Sequence, residues 1–208
     1  MMAEGSQRVY IVDDDEAMRD SLVWLLESHG YAVEAYPSAE TFLASFHEDM
    51  RGCLVLDVRM PGMSGLELHE TLIARRATLP VIFVTGHGDV PMAVSALKKG
   101  AVDFIEKPFG DKDMLRLIAQ CLEMEQARRD TQLHETKTRR RLATLTDRER
   151  EVLGLVLAGK LNKQIADGLG ISVKTVEVHR ARVMEKMEAG SVAELVQAVM
   201  AAKGNRAP

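Results

Sequence analysis

The chain has 208 residues, of which 46% are hydrophobic and 28% charged, enough for one large or two small globular domains. No apolar stretch approaches the ~20 residues of a membrane-spanning helix, no export signal opens the chain, and Cys53 and Cys121 lack the spacing of a disulfide framework or zinc site. We therefore expect a cytoplasmic protein without a membrane partner. The net charge of −4 divides into −8 over residues 1–110 and +4 over 111–208, which indicates a cation site in the first half and a polyanionic partner for the second.

The first half alternates short apolar runs with amphipathic windows. Strands are predicted at residues 9–12, 31–35, 53–56, 80–84 and 102–105. Helices are predicted at 17–29, 39–46, 64–75 and 91–99, and a fifth from Lys112; Ser64 and Glu67 form a capping box at the third. This alternation predicts an α/β fold, a doubly wound five-stranded parallel sheet.

The second half is helical throughout. Residues 128–141 are nearly all polar, which is typical of an exposed helix or a flexible linker, so we expect a linker, helical in character, at 125–144. From Leu145 onward no strand pattern occurs, and capping boxes open the first helix (Thr146, Glu149) and the last (Ser191, Glu194). We predict domains at 7–124 and 145–205.

Polar residues follow four of the five predicted strands, those at 9–12, 53–56, 80–84 and 102–105. They are Asp13 and Asp14, Asp57, Thr85 and Lys107. Because ligands bind beyond the carboxyl ends of parallel strands, these groups are expected to meet at one edge of the sheet. Carboxylates placed together there are suited to a hard divalent cation such as Mg²⁺.

The motifs VDDDEAMRDSL, LVLDVRMPGMSG, VTGHGD and DFIEKPF follow one another in residues 7–124. With them, this segment resembles the flavodoxin-like receiver domain of two-component response regulators. The resemblance implies that Asp57 is the phosphoacceptor. It also implies a Mg²⁺ site in which Asp14 binds directly, Asp13 through water, and the Arg59 backbone carbonyl supplies a further oxygen.

The same resemblance assigns two further roles at this edge. Thr85 and Lys107 would bond the phosphoryl oxygens, and Phe104 would turn inward as an aromatic switch when Thr85 shifts, although plain core packing explains Phe104 nearly as well. Asp15 begins the following helix, where a negative charge is favourable.

The stretch NKQIADGLGISVKTVEVHRARVMEKM has the spacing of a helix-turn-helix. Ala166 is a small residue where two helices would cross, Gly170 suits the turn, and Val176 anchors the second helix. Asn162 and Ser172 are expected to be the N-caps of these two helices.

With its flanking helices, this segment resembles the four-helix DNA-binding domain of LuxR/FixJ-type regulators, in which residues 173–186 would be the recognition helix. By position, Glu177, Val178 and Ala181 would face base edges. Residues expected near phosphates are Lys163, Lys174, Thr175, His179, Arg180 and Arg182. On the last helix an apolar stripe is expected to be core or partly a dimer seam: Val192, Leu195, Val196, Val199 and Met200.

The two resemblances together predict a response regulator and not an enzyme: a sensor histidine kinase phosphorylates Asp57 with Mg²⁺, and the helix-turn-helix binds promoter DNA to regulate transcription. A homodimer is expected on phosphorylation or DNA binding, and RNA polymerase stays open as a partner. Two alternatives remain, a phosphorylation-independent DNA-binding regulator and a haloacid-dehalogenase-like phosphohydrolase. The latter rests on the spacing of Asp13 and Asp15, but Ala17 stands where that family has Thr or Val.

Overall fold

The computed structural model describes residues 7–86, 97–98 and 100–204. The chain divides into two compact units between Arg128 and Arg129. Within the described residues, no helix combines the length and the apolar character needed to cross a membrane.

The first unit contains a five-stranded parallel sheet in the order β2-β1-β3-β4-β5. The strands are β1 (Arg8–Val12), β2 (Val33–Tyr36), β3 (Gly52–Asp57), β4 (Val81–Thr85) and β5 (Asp103–Glu106). This confirms the predicted doubly wound sheet, because β1 lies between β2 and β3 and the order reverses there. The carboxyl ends of β1 and β3 therefore lie side by side, which is where a ligand site forms in such sheets.

Four described helices accompany the sheet: α1 (Glu16–Ser28), α2 (Ala39–Ser45), α3 (Gly65–Ala74) and α4 (Asp111–Ala143). The helix predicted at 91–99 lies almost wholly outside the described residues. The 33-residue helix α4 continues without interruption through most of the predicted linker.

The sheet separates two apolar clusters, and alternate residues of each central strand enter opposite clusters. Leu54 and Leu56 of β3 pack on one side with Phe42 and Phe83. On the other side, Cys53 and Val55 pack with residues of α1 and α4. Every residue of β3 is buried, as expected of a parallel strand covered on both faces.

The second unit contains four further helices around one core: α5 (Asp147–Leu157), α6 (Asn162–Leu169), α7 (Val173–Met187) and α8 (Val192–Gly204). The predicted all-α, four-helix region is thereby confirmed. Thr146 and Glu149 form the expected reciprocal capping box at α5. At α8 the Ser191 hydroxyl accepts from the Glu194 amide, but the Glu194 carboxylate accepts from the Gly190 amide instead of the Ser191 amide.

The start of α6 differs from the prediction. Leu161, not Asn162, is the N-cap, and its amide donates to Gln164 Oε1 at 3.0 Å. The Asn162 side chain is engaged elsewhere, because its Oδ1 accepts a 2.6 Å bond from Arg180 of α7. Ser172 caps α7 as predicted, accepting from the Thr175 amide at 3.1 Å.

The apolar stripe of α8 divides between two environments. Leu195 and Val199 are core residues, whereas Val192 and Met200 are 39% and 54% exposed. Val196 lies between these extremes. Core packing therefore explains only part of the stripe.

Candidate functional site

A lysine and two buried aspartates meet at the carboxyl edge of the sheet. Lys107 Nζ donates to Asp57 Oδ1 at 2.7 Å and to Asp13 Oδ2 at 2.9 Å. Asp13 and Asp57 are only 2% and 7% exposed. The structure thus brings together three residues that lie far apart in the sequence, as the strand-end argument predicts.

The backbone around Asp57 fixes its carboxylate. Asp57 is the last residue of β3, and its Oδ2 accepts a 2.8 Å bond from the Arg59 amide. Behind it, Gly65 opens α3 so close to the strand that a Cβ there would lie 2.1 Å from the Asp57 carbonyl oxygen. Sequence reasoning missed Gly65, although a glycine at the first position of a helix was a signal of close approach.

Asp13 is held in a similar way. Its Oδ1 accepts from the Asp15 amide at 2.8 Å, and its backbone carbonyl accepts a 2.7 Å bond from Arg19 of α1. Arg19 was also missed, because nothing in the local sequence distinguishes it from an ordinary surface arginine.

Burial and hydrogen bonding act in opposite directions on the pKa of Asp57 and on the pKa of Lys107. Burial raises the pKa of Asp57, and the hydrogen bond and charge of Lys107 only partly offset this, so the net shift is upward. For Lys107, burial lowers the pKa, but its bonds to Asp57 and Asp13 outweigh burial and the net shift is also upward. The lysine is therefore a charged donor at neutral pH.

The three consecutive aspartates occupy different environments. Asp13 is buried beside Lys107, whereas Asp14 is exposed. Asp15 is the N-cap of α1, and its Oδ1 accepts from the Ala17 and Met18 amides at 2.9 and 3.2 Å. The chain thus uses one carboxylate for the buried edge, one at the surface, and one for the helix.

The edge fits a hard cation in its chemistry but is not a preformed cage. In the part of the chain that the structure describes, no group of three or more His, Cys, Asp or Glu side chains is arranged to hold a metal ion. Two buried carboxylates facing one ammonium nevertheless leave an excess of negative charge, which the exposed Asp14 increases. Carboxylate oxygens in excess of cations are the donor set that suits Mg²⁺.

The two predicted switch residues lie on neighbouring strands. Thr85 is the last residue of β4, is 3% exposed, and donates to the Gly86 carbonyl at 3.0 Å. Phe104 of β5 is half-buried and packs against the core cluster that contains Phe83. Thr85 and Phe104 therefore lie on adjacent strands, close to the edge of the sheet that holds Lys107.

In the second unit, α7 has one buried and one exposed face. Val176, Val183 and Met187 are core residues. The predicted base-edge residues Glu177, Val178 and Ala181 are all exposed.

The residues predicted near phosphates are divided by burial. Lys163, Lys174, Thr175 and Arg182 are exposed, whereas His179 and Arg180 are partly buried. The guanidinium of Arg180 bonds Asn162, so this arginine also joins α6 to α7. His179 Nδ1 is buried and has no hydrogen-bond partner.

Two family models match the chain. The response regulator receiver domain model matches residues 9–119, more than half of the chain. The model of bacterial regulatory proteins of the luxR family matches residues 143–199. The chain belongs to the response regulators that carry a LuxR-type DNA-binding domain.

This response regulator has relatives that match over nearly their whole length. A transcriptional regulatory protein FixJ of Azorhizobium caulinodans is 50% identical over 196 residues, which are 93% of this chain and 92% of the relative. FixJ of Rhizobium meliloti is also 50% identical, over 93% and 95% of the two chains. The response regulator protein TodT of Pseudomonas putida is 42% identical, over 94% and 86%.

Solved structures give the same picture. The response regulator StyR superposes with a TM-score of 0.82 at 44% identity, over 93% of this chain and 98% of that one. Full-length FixJ from B. japonicum superposes with a TM-score of 0.59 at 42% identity, over 96% and 98%. The relatives and the solved structures together identify the chain as a phosphorylatable regulator of transcription. Its relatives are regulators and not classical enzymes, which disfavours the phosphohydrolase alternative.

Proposed function

We propose that Asp57 is the residue that accepts the phosphoryl group, from the phosphohistidine of a sensor kinase. The observation that carries this proposal is the bond between Lys107 Nζ and Asp57 Oδ1 at 2.7 Å. It places a charged donor next to the oxygen atoms from which a phosphoryl group would project. A carboxylate in this setting is a nucleophile with its electrostatic partner already in place.

Phosphoryl transfer to Asp57 exchanges one bond to phosphorus for another. An oxygen of Asp57 forms a bond to phosphorus while the bond between phosphorus and the donor's imidazole nitrogen breaks, and that nitrogen keeps the electron pair. Negative charge spreads over the phosphoryl oxygens. Lys107 donates to one of them, and Thr85, at the end of the adjacent strand, donates to another.

A Mg²⁺ ion at this edge would be held by Asp13, Asp14, Asp57 and the Arg59 backbone carbonyl. When bound, it offsets the charge of the carboxylates and of the incoming phosphoryl group. Asp14 is the residue whose side chain lies at the surface, so it can reach a hydrated ion without breaking a buried contact.

We further propose that the aspartyl phosphate draws Thr85 towards it and that Phe104 then turns inward. Thr85 and Phe104 lie on β4 and β5, which are hydrogen-bonded to each other. This placement supports the coupling, because a shift at the end of β4 also displaces the residues of β5 bonded to it. Phosphorylation can act only by stabilising one of two arrangements more than the other.

For DNA, we propose that α7 enters the major groove with Glu177, Val178 and Ala181 towards base edges. Glu177 is suited to accept from cytosine N4 and Val178 to contact a thymine methyl. The exposed cations of α6 and α7 lie near phosphates, with His179 and Arg180 contributing less because they are partly buried. We also propose that the protein binds promoter DNA as a homodimer, with one subunit on each of two paired half-sites. This binding would take place in the cytoplasm, in contact with RNA polymerase.

We assign these activities to a receiver domain at 7–124 and a DNA-binding domain at 145–205, joined by a linker at 125–144. The family matches at 9–119 and 143–199 support these bounds. The division of the chain at Arg128 falls inside the proposed linker.

Phosphorylation with acetyl phosphate and Mg²⁺ tests the assignment of Asp57. Wild type is expected to gain one hydroxylamine-labile phosphoryl group, detected by intact mass, and Asp57→Asn none. Asp14→Asn is expected to need far more Mg²⁺, whereas the matched control Asp15→Asn, which keeps a good N-cap, behaves as wild type. Equal labelling of Asp57→Asn and wild type would refute the assignment.

A further inference from the structure

The last turn of the proposed recognition helix is tied to the junction of α4 and α5 by two cations. Lys186 of α7 donates to Glu149 Oε2 at 2.6 Å and to the Thr144 carbonyl at 3.2 Å. In the opposite direction, Arg141 of α4 donates to the Met187 carbonyl at 3.4 Å and pairs with the Glu188 carboxylate. Each segment thus supplies one cation and one carboxylate to the other, an arrangement we call the crossed latch.

The first half of the latch is anchored in the core. Glu149 is only 2% exposed, and the same carboxylate accepts from the Thr146 amide in the capping box of α5. Lys186 therefore joins α7 to a buried, hydrogen-bonded residue in the first turn of α5. The carboxylate cannot be replaced without loss of the cap, so this half is a poor place to test function alone.

The second half of the latch contains a residue with an unusual backbone conformation. Glu188 is the C-cap of α7 with φ 51° and ψ 40°, the left-handed conformation that glycine adopts without strain. A residue other than glycine is strained in this conformation and lowers the stability of the fold. We therefore expect the Glu188 side chain to have a role that offsets this strain. The only ion pair that Glu188 makes among the described residues is with Arg141.

We infer that Arg141 and Glu188 are positioning residues for DNA recognition, which fix the angle of α7. This inference rests on the proposed function of α7. The other end of the helix is set by the turn at Gly170 and by Ser172, so the latch supplies the second point that defines the axis. Base edges are read only when side chains are held within about 0.5 Å of the productive geometry, whereas phosphate contacts add affinity and carry no sequence information directly. Loss of the latch therefore costs sequence discrimination more than general affinity for DNA.

The last residues of α4 thereby also take part in DNA recognition. In the sequence, the run Arg139-Arg140-Arg141 looks like a solvated basic patch in a linker. In the structure, Arg141 bonds the end of α7, and Arg139 donates to the Ala202 carbonyl near the end of α8. Both arginines are directed at helix C-termini, where a cation is favourable.

The test uses the full-length protein and two duplexes: one enriched from a random library by wild type, and a scrambled duplex of the same length. The variants are Arg141→Ala, Glu188→Gly and the charge swap Arg141→Glu with Glu188→Arg. Arg140→Ala is the matched control, since it removes the adjacent charge but no bond to α7.

The expected result is a loss of about tenfold in the ratio of the two affinities for Arg141→Ala and Glu188→Gly, with affinity for the scrambled duplex within about twofold of wild type. The charge swap restores part of the ratio, because it restores the ion pair but not the bond to the Met187 carbonyl. Glu188→Gly does not lower the melting temperature, because glycine relieves the left-handed conformation, so discrimination falls without a loss of stability. A purely structural role would not produce this combination.

Three results would overturn the inference: an unchanged ratio in Glu188→Gly, equal losses on both duplexes, or a loss in Arg140→Ala as large as in Arg141→Ala. Failure of wild type to enrich any duplex, with or without acetyl phosphate, would instead count against the proposed DNA binding itself. The two failures are thus distinguished by the wild-type arm.

Discussion

Asp13 and Asp57 are two buried carboxylates that share one ammonium group. Their mutual repulsion is tolerated because Lys107 Nζ lies within 2.9 Å of an oxygen of each. Removal of one partner from such a group leaves uncompensated buried charge, which costs more than the intact group contributes.

Lys107→Met should therefore lower the free energy of unfolding of the receiver unit by about 3 kcal/mol at pH 7. The double variant with Asp57→Asn should recover part of this loss, since one of the two carboxylates is then neutral. Urea denaturation measures both effects. Lys112→Met, at an exposed position of α4, is the control and should behave as wild type. Wild-type stability of Lys107→Met would contradict the account of this site.

Glu149 provides a pH-dependent contribution in the second unit. The hydrogen bond from Lys186, followed by that from the Thr146 amide, lowers the pKa of Glu149 from 4.5 to about 2. A carboxyl whose pKa is lower in the folded protein adds stability above its unfolded value, and this stability disappears as the pH falls through the folded value. The contribution of Glu149 is thus complete above about pH 4.5 and lost towards pH 2.

Glu149→Gln should accordingly be less stable than wild type at pH 7, and the difference should shrink as the pH falls from 4.5 towards 2. Thermal unfolding followed by circular dichroism over this range measures the trend. Glu151→Gln, at an exposed position of the same helix, should show a much smaller difference. A difference for Glu149→Gln that is independent of pH would be inconsistent with the pKa of this residue.

At the scale of the elements, the start of α3 lies close against the strand end that carries Asp57. Its first residue, Gly65, donates its amide to the Val58 carbonyl at 3.1 Å and leaves no room for a Cβ beside the Asp57 carbonyl. The start of α3 thus supports the strand end from behind. This makes the position of the helix part of the geometry of Asp57.

Gly65→Ala should cost about 1 to 3 kcal/mol of stability, because the added methyl displaces backbone, and should slow labelling of Asp57 by acetyl phosphate. Gly154→Ala is the control, since a Cβ at that interior position of α5 meets nothing within 4 Å. It should instead gain about 0.5 to 1 kcal/mol. Equal effects of the two substitutions on stability would show that crowding at Gly65 is unimportant.

Periodicity predicts the elements well because it reports burial, which the sheet and the helical core impose along each segment. The strand ends follow from it, and so does the meeting of Asp13, Asp57 and Lys107. Individual side-chain partners away from the strand ends do not follow. The bond from Arg180 to Asn162 is one such partner, and it explains why the expected N-cap was wrong. Gly65 was missed although a glycine at the start of a helix was a signal of close approach, and Arg19 was missed because nothing in the local sequence distinguishes it from a surface arginine.

At the scale of the molecule, most of the segment predicted as a polar, helical linker belongs to the long helix α4. The structure shows one helix, Asp111–Ala143, whose first part packs in the receiver core through Met114, Leu117 and Ile118. Within the second unit, Arg139 and Arg141 near its end bond the carbonyls of Ala202 in α8 and Met187 in α7. A sequence without an apolar face gave no sign of these bonds, because they are made by arginine side chains to backbone carbonyls.

The central claim is that phosphorylation of Asp57 controls DNA binding by α7. It is tested most directly by the affinity of the full-length protein for its library-enriched duplex, with and without acetyl phosphate and Mg²⁺, for wild type and Asp57→Ala. The account predicts that phosphorylation changes the affinity of wild type at least about tenfold, an effect within the usual range of coupling energies, and leaves Asp57→Ala unchanged. Equal affinities in all four measurements would contradict it.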